Sequence, residues 1–574
     1  TETSWRRATG YRNGPISRVT GQLGFTFEYD ARRDGGDWNY IQAQDLVPLA
    51  DTGSFSPRPI PKIQIKGRVS AIIHAQGLIA ERKSKEEIPA RLMQTDFLSS
   101  RNCREIFKDG YSLALPSDDG IKVEMDKLMD GGVYFVIDLD REEVGFLEID
   151  MDADDGTVID IANGEHLDDL RVRSCVGGRN FAHRYTCKEG HQVFTHYFLR
   201  LAGRFLQLHV TNVRRHFTLY YAGMDIVDFP LQEKGTFMSP DSLRENIYRT
   251  SVRTLRLCMH EHYEDCPWRE QGLYANDSRN QALSGYYAFG EYAFPAASFA
   301  LFTEGQKDDG YLEMCAPAEI DHTIPSFSLA WILALGDHWL FSGDRNFIAG
   351  MMPIIRNMLD ANLKRLENDM LPCPTGKKYW QFYDWADGLD GGGRLENGTI
   401  RFDAPLNLLF CMALDVSASL ARECGNSGQA ESWTCHAEKI RKHFHSMFWD
   451  SSRNSYRTYV GDGAIKHFSE LTQSLAILAR ACPDDRMPEL RALLASNDNG
   501  LVRTTLSQSI YKFEALLTDK PNYGKWVFNS ISKVLSSAGL TTVITIKRVL
   551  SGNSSAALTT SSASCFFTNS PEMG

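Results

Sequence analysis

The sequence predicts a multidomain protein of mixed β and α class, with an N-terminal β-sandwich region followed by a barrel of helical hairpins. Three observations predict it. A chain of 574 residues is longer than a single hydrophobic core serves, so several folding units are the default. Residues 62 to about 236 run in short alternating apolar segments divided by Asp/Gly turns, the mark of strands. From Ser239 onward the apolar residues recur at helical spacing instead.

Taken in order, residues 1–61 are rich in Gly, Arg and aromatics and close on Ser54-Phe-Ser-Pro-Arg-Pro-Ile-Pro61, whose prolines resist helix and sheet alike. They read as a β-rich fragment and linker. Residues 62–238 hold segments such as Gly132-Val-Tyr-Phe-Val-Ile-Asp-Leu139, Gly145-Phe-Leu-Glu-Ile-Asp150 and Arg204-Phe-Leu-Gln-Leu-His-Val210, which together spell a β-sandwich domain. At Ser239-Pro-Asp-Ser-Leu-Arg-Glu-Asn246 a Ser/Asp cap precedes a long helical pattern through Ile247, Val252, Leu255 and Leu257. Further helices are predicted over 278–304, 324–343, 345–367, 403–424, 428–448, 465–482, 486–495, 503–518 and 521–536, so residues 239–548 make a helical domain. The Ser/Thr-rich tail, residues 549–574, has little charge or periodicity and is expected to be poorly ordered.

One long connection, residues 369–401, interrupts the helices with Tyr379-Trp-Gln-Phe-Tyr-Asp-Trp-Ala-Asp387 and the glycines Gly391-Gly-Gly393. Aromatics beside carboxylates suit a sugar, whose CH faces stack on rings while its hydroxyls bond acids. A lid packed for structural reasons has the same composition.

The hydrophobic fraction of 43% and charged fraction of 24% are those of a folded globular protein. A net charge of -11 argues against a nucleic-acid partner, and apolar runs such as Leu329-Ala-Trp-Ile-Leu-Ala-Leu335 are too short for a membrane span. Thr1 opens the chain without initiator methionine or leader, which leaves the compartment open. The twelve cysteines form no dense framework; Cys258, Cys411 and Cys435 fall in apolar helical patterns and read as buried thiols.

The densest chemical signal is Glu264-Asp-Cys-Pro-Trp-Arg-Glu-Gln-Gly-Leu-Tyr-Ala-Asn-Asp-Ser-Arg-Asn280. Pro267 stops the helical ladder, so Asp265, Arg269, Glu270, Tyr274 and Asp277 are displayed on a loop. Glycoside hydrolysis needs a carboxylic acid to protonate the leaving oxygen, and inverting enzymes add a second carboxylate to activate water. Glu270, between Trp268 and Tyr274, is placed for the partial desolvation that a proton donor requires. The plainer reading is a capping loop in which Asp277 N-caps the next helix and Arg269 pairs with an acid.

Asp265-Cys-Pro-Trp-Arg-Glu270, with Tyr274 and Asp277, closely resembles the Asp-Cys-Pro-x-Arg-Glu motif of glycoside hydrolase family 78, the bacterial α-L-rhamnosidases with a six-hairpin (α/α)6 barrel. The similarity continues through Gly164-Glu-His-Leu167, Gly285-Tyr-Tyr-Ala-Phe-Gly290, Thr323-Ile-Pro-Ser-Phe327, Ser342-Gly-Asp344 and Tyr383-Asp-Trp385, across most of residues 130 to 535. The resemblance implies an inverting, cofactor-free glycosidase with a carbohydrate substrate. In it Glu270 matches the general acid, Asp265 and Asp277 match acids that contact the rhamnose, Tyr274 takes an aromatic position, and Asp384-Trp385 line the pocket; Arg269 joins them in binding the sugar. The chain departs from the family where the general base is expected: Gly539-Leu-Thr-Thr-Val-Ile-Thr-Ile-Lys547 holds no Glu. The base is therefore unassigned, and a sugar-binding protein without turnover, or a six-hairpin glycosidase for another sugar, stand as alternatives.

His260-Glu-His-Tyr-Glu-Asp-Cys266 has metal-ligating residue types, but alternate positions at a helix end point His260 and His262 apart, and no metal is expected. Glu470 reads equally as a substrate contact or as a first-turn carboxylate favoured by the helix dipole. Sequons stand at Asn276, Asn397 and Asn553, the first inside the proposed site.

Overall fold

The computed structural model describes residues 10–12, 16–33, 57–82, 88–98, 113–123, 128, 131–168, 171–316, 318, 320–392 and 395–537. Its architecture is mixed β and α, with several sheets in the first part of the chain and twelve α-helices among the described residues. The expected tail and Gly539–Lys547 lie outside the described residues.

The main sheet is organised by two long strands. Strands β1 (Glu28–Asp30), β2 (Gln64–Arg68), β3 (Ala71–Glu81), β4 (Val133–Ala153), β5 (Val158–Gly164), β6 (Ala182–Thr186), β7 (Gly190–Thr211) and β8 (Phe217–Asp228) run in the order β1-β6-β5-β7-β4-β8-β2, with β3 beside the first half of β4. β1 comes from the segment expected as a separate N-terminal fragment, and it pairs in parallel with β6.

Both long strands are interrupted midway. In β4, Asp140 adopts a positive φ of 73°, and opposite it the β7 register shifts between Gly203 and Phe205. Gly203 is required there, because a Cβ on it would stand 2.7 Å from the Gly164 carbonyl oxygen. Val133, Phe135 and Ile137 before the interruption share one core with Leu147, Ile149 and Met151 after it. The opposite face is buried as well: Tyr134 and Val136 pack on Ala90 and Met93 of helix α1 (Pro89–Thr95), while Val144 and Ala202 pack on Trp268 from the helical part. Burial on both faces is why these strands read as continuous apolar runs in places.

The helical part comprises α2 (Ser242–Leu257), α3 (Ala275–Ala288), α4 (Ala293–Leu301), α5 (Pro325–Ser342), α6 (Arg345–Leu363), α7 (Ala404–Glu423), α8 (Ser427–Phe448), α9 (Glu470–Leu478), α10 (Met487–Ala495), α11 (Ser509–Leu517) and α12 (Lys520–Ser537). Asp241, Asp344, Asn426 and Ser469 cap α2, α6, α8 and α9 by accepting backbone N–H bonds. The single helix expected over 278–304 is two: α3 stops at Phe289 because Gly290 takes a positive φ of 55°, and α4 starts afresh after Tyr292.

The odd-numbered helices α3, α5, α7, α9 and α11 pack on one another in sequence, and α6, α8, α10 and α12 lie against them. α5 and α7 are accordingly buried on nearly every side. α7 is long and apolar enough to cross a membrane by length and composition, yet 78% of its apolar window is buried in the protein interior, where that apolarity is used. The ten described cysteines are free; Cys258 and Cys411 are buried as expected, whereas Cys435 is exposed on the outer side of α8.

Trp331 of α5 is fully buried and donates its indole N–H to the Phe299 carbonyl at 3.0 Å, tying α5 to α4. Trp331→Ala is expected to lower stability by about 3–5 kcal/mol through the cavity it leaves. A urea-unfolding midpoint indistinguishable from that of the unmodified protein would contradict this placement.

Candidate active site

The loop between α2 and α3 is closed on itself and clamped to the sheet. The Asp265 N–H donates to the Gly272 carbonyl and the Gly272 N–H returns to Asp265 Oδ1, both at 2.8 Å. Gln271 turns the chain with φ 51° and bonds the Pro267 carbonyl at 2.8 Å and the Arg200 carbonyl of β7 at 3.2 Å. Arg200 forms an ion pair with the buried Glu264, whose other partner is His260 Nδ1 at 3.1 Å. Burial pushes the Glu264 carboxyl up, but Arg200 and His260 outweigh it and hold the group below the usual carboxylate value.

Trp268, expected beside Glu270, has its described ring contacts with the sheet. It is 4% exposed and turns to the sheet, meeting Phe181 at a tilt with ring centroids 4.8 Å apart and lying over Gly164, where a Cβ would come within 3.3 Å of the indole. The physical reason is the apolar outer face of β4 and β7, which buries the indole more completely than the loop alone can. Trp268 is thus the anchor of the loop, and Tyr274 is the aromatic that meets Glu270.

Glu270 stands between the two parts of the molecule with its side chain 19% exposed. Its Oε2 accepts a hydrogen bond from the Tyr274 hydroxyl at 3.0 Å, and its Oε1 accepts one from Arg179 Nη2 at 2.9 Å. Gln22, from the N-terminal segment, donates to the same Tyr274 oxygen at 3.1 Å. Asp265 and Asp277 lie close enough to act electrostatically on Glu270's surroundings. Burial first, then Glu270, then Asp277, raise the Asp265 carboxyl well above the usual range. Burial raises Asp277 to about 7, against a smaller opposing backbone hydrogen bond. The Tyr274 phenol is raised by the same burial and by the neighbouring Glu270 and Asp265. Asp277 is not the N-cap of its helix: that position is Tyr274, and Asp277 sits in the first turn. Arg269 is half-buried on the same loop.

A chain of rings leads from this acid cluster to the 369–401 connection. Tyr274 meets Phe327 edge-on at 6.5 Å, Phe327 meets Phe382 at 5.7 Å, and Phe382 meets Trp385 at 4.9 Å. Trp385 is 38% exposed and rests edge-on against Trp380 at 5.8 Å. Beside it Asp384 is wholly buried, accepting from the Trp385 N–H at 2.8 Å, the Thr505 N–H at 2.9 Å and the Thr505 hydroxyl. Burial raises Asp384 despite these donors.

Glu470, the first residue of α9, is buried and held by Lys512 Nζ at 2.6 Å, Asn499 Nδ2 at 3.2 Å and the Thr504 N–H at 3.2 Å. Thr504 and Thr505 are adjacent, so Glu470 and Asp384 grip one turn of backbone from two sides. A pit opens at the same end of the helices, lined by Asn276 of α3, Phe327 of α5, Tyr383, Leu471 of α9, Gln508 and Tyr511 of α11. The starts of four alternate helices, or residues next to them, therefore converge on it.

The sequence reading missed Arg179, Gln22, Thr504, Thr505 and Lys512. Gly177-Gly-Arg179 carries a turn signal, but nothing in it announces a partner ninety residues away. His260 and His262 are not brought together: His262 Nδ1 lies 2.7 Å from its neighbour's carbonyl. A possible metal-holding group among the described residues, Asp154, Glu189 and His216, is elsewhere, and Arg215 already pairs with both of its acids. Asn276 of the first sequon is buried at the pit and Asn397 is exposed, while Asn553 lies outside the described residues.

Residues 232–498 match the family model of the bacterial alpha-L-rhamnosidase six-hairpin glycosidase domain. The crystal structure of the glycoside hydrolase family 78 rhamnosidase of Bacillus sp. GL1 is similar with a TM-score of 0.64 and 26% identity, covering 72% of this chain and 43% of that one. The Klebsiella oxytoca rhamnosidase with rhamnose bound matches with a TM-score of 0.62 and 16% identity over 85% of this chain and 88% of that one. The Streptomyces avermitilis alpha-L-rhamnosidase complexed with L-rhamnose gives 0.60 and 16% over 88% and 43%. The last two likenesses speak for the fold alone, and this chain spans under half the length of the Bacillus and Streptomyces proteins. No curated protein sequence matches the chain. The domain match and the Bacillus structure agree with the likeness to glycoside hydrolase family 78 that the motif around Glu270 carries.

The Asp277 carboxyl sets a pH dependence. Its value of about 7 is raised above that of the unfolded chain, so the stability it contributes is complete below the unfolded value, near 3.8, and is lost as pH rises through about 7. Asp277→Asn removes that loss. Unfolding midpoints of the two proteins are expected to converge or cross as pH rises across this window, and parallel pH profiles would refute the raised carboxyl.

Proposed function

We propose, from the premise that residues 232–498 form a bacterial α-L-rhamnosidase six-hairpin glycosidase domain, that the chain is an inverting glycoside hydrolase removing terminal α-L-rhamnosyl residues from glycans or glycosides. Homology to α-L-rhamnosidases indicates the glycosyl hydrolase class. In this reading residues 62–238 are a β-sandwich domain to which residues 1–61 contribute an edge strand. Residues 239–548 are an (α/α)6 barrel, with α3, α5, α7, α9 and α11 as inner helices.

The observation that carries the reading is the position of Glu270, hydrogen-bonded to Tyr274, whose ring meets Phe327 at the end where the first turns of alternate helices converge. In this reading Phe327, which meets Tyr274 edge-on, and the exposed indole of Trp385 are the apolar partners for the sugar ring and its C6 methyl. Asp265, Arg269, Asp277 and Asp384 are the polar groups for its hydroxyls. Asp265 and Asp277, raised by burial, can donate as well as accept there.

Glu270 gives its proton to the glycosidic oxygen as the bond from that oxygen to the anomeric carbon breaks. Water adds its oxygen to the opposite face of that carbon, and the proton it loses passes to a carboxylate roughly 6.5–9.5 Å from the donor. Exchange with solvent returns a proton to Glu270, and the configuration is inverted. No cofactor enters this balance. The water-activating carboxylate is unassigned.

The absence of a Glu from Gly539–Lys547 favours a second reading, a protein that binds the sugar without turnover. Release of nitrophenol from the aryl α-L-rhamnoside separates the two. Turnover that Glu270→Gln lowers by about 10²–10⁴-fold supports hydrolysis with Glu270 as the acid. Rhamnose binding without release favours the second reading, and activity on a different aryl glycoside alone would reassign the sugar.

A further inference from the structure

We infer that the leaving side of this site is built for an acidic aglycone, a glycan in which the rhamnosyl group is attached to a uronate whose carboxylate is received by Arg179 and Arg18. The inference rests on the reading of Glu270 as proton donor.

The two oxygens of Glu270 have different partners. Oε2 meets Tyr274, whose ring packs edge-on against Phe327 of the helical part, and Oε1 meets Arg179 from the sheet part. A proton donor touches the bridging oxygen of its substrate, so a sugar held on the Tyr274 side puts its leaving group on the other side. Arg179 stands on that side. It follows directly on a two-glycine turn, Gly177 at φ 53° and Gly178 at φ 75°, in a hairpin formed by Cys175–Val176 and Arg179–Asn180. Left-handed conformations at both central positions are those of the tight hairpin turn that glycines permit, and the turn delivers the arginine side chain, 31% exposed, to the rim.

A second guanidinium stands on the neighbouring strand. The strand Arg18–Thr20 lies against this hairpin, with Asn180 Nδ2 on the Arg18 carbonyl at 2.9 Å. Arg18 is exposed; its guanidinium bonds the Thr20 carbonyl at 3.2 Å and has no carboxylate partner among the described residues. The chain as a whole carries a net charge of -11, so two arginines at one rim are a local feature.

The acid step itself calls for an anion there. Protonating Glu270 leaves the Arg179 charge without its partner, and a partly buried cation stripped of its counter-charge is unfavourable. A carboxylate on the leaving sugar restores the pair, because the planar guanidinium fork matches two carboxylate oxygens at once. A neutral leaving group offers no such replacement. One side chain then both selects the aglycone and releases Glu270 to hold its proton.

The test compares two matched disaccharides, rhamnose α-(1→4)-linked to methyl glucuronide and to methyl glucoside, with the aryl α-L-rhamnoside as a separate report on the glycosidase reading. The acidic disaccharide is expected to be favoured in kcat/KM by about tenfold or more, the worth of one charge-assisted pair. Arg179→Gln is expected to bring the ratio close to one, with Arg179→Lys in between, and added salt is expected to erode the preference. Equal kcat/KM for the two sugars, or a preference that survives Arg179→Gln, overturns the inference while aryl rhamnoside turnover leaves the glycosidase reading standing. Where the aryl rhamnoside is not turned over, that reading fails by itself. Equilibrium binding of the same two disaccharides then decides the aglycone: tighter binding of the acid that depends on Arg179 supports it, and equal affinity ends it.

Discussion

The site depends on one clamp, the hold that β7 keeps on the loop between α2 and α3. Arg200 reaches from the sheet to Glu264 and Gln271, Gln271 returns a bond to the Arg200 carbonyl, and Trp268 is buried in the apolar face beside them. A loop that breaks from a helix at Pro267 has no ladder of its own to fix it. Its geometry comes from these contacts, and Glu270 lies two residues from the buried indole and one from the clamped glutamine. A residue of the β part therefore determines where a carboxyl of the helical part can stand.

The second constraint is burial set against the helix ends. Asp277 and Glu470 both occupy first turns, where the partial positive charge of the helix favours a carboxylate. The two diverge because their partners differ. Glu470 has Lys512 and several further donors, whereas Asp277 faces burial with little besides backbone and a neighbouring acid, and its carboxyl rises to about 7. Equal helix positions thus yield a carboxyl gripped by several donors in one case and a raised acid in the other. A first-turn location alone does not assign a role.

Much of this was legible from sequence where a single segment carries the signal. The switch from period-2 to period-3.6 patterning near Ser239 located the start of the helices, since α2 begins at Ser242 under its Asp241 cap. The run Asp265–Asp277 announced a cluster of acids because a proline displays them on one loop. What could not be read were contacts between distant segments. Trp268 looked like a neighbour of Glu270 by spacing, but two residues along a non-helical loop can point to different layers. Arg179, Gln22 and Thr505 lie in stretches of ordinary turn and cap composition, and only the folded chain brings them to Glu270 and Asp384. The break at Gly290 was missed for a local reason: a glycine inside an apolar helical pattern is as compatible with continuation as with a C-terminal cap until its φ is known.

In the proposed reading these placements separate the machinery into a leaving-group half and a sugar-facing half. The leaving-group half is closed among the described residues: Tyr274 and Arg179 engage both oxygens of Glu270, and Gln22 steadies Tyr274 from a third segment. The sugar-facing half is closed in the same sense, since Lys512, Glu470, Thr504, Thr505 and Asp384 form one continuous set of bonds across α9, α11 and the 369–401 connection. In the proposed reading recognition and proton donation fall to residues 18–512, and the carboxylate that activates water is unassigned. A carboxylate for that step has to reach the face of the pit opposite Glu270. Glu470 and Asp384 each already accept from two or more donors of the chain itself.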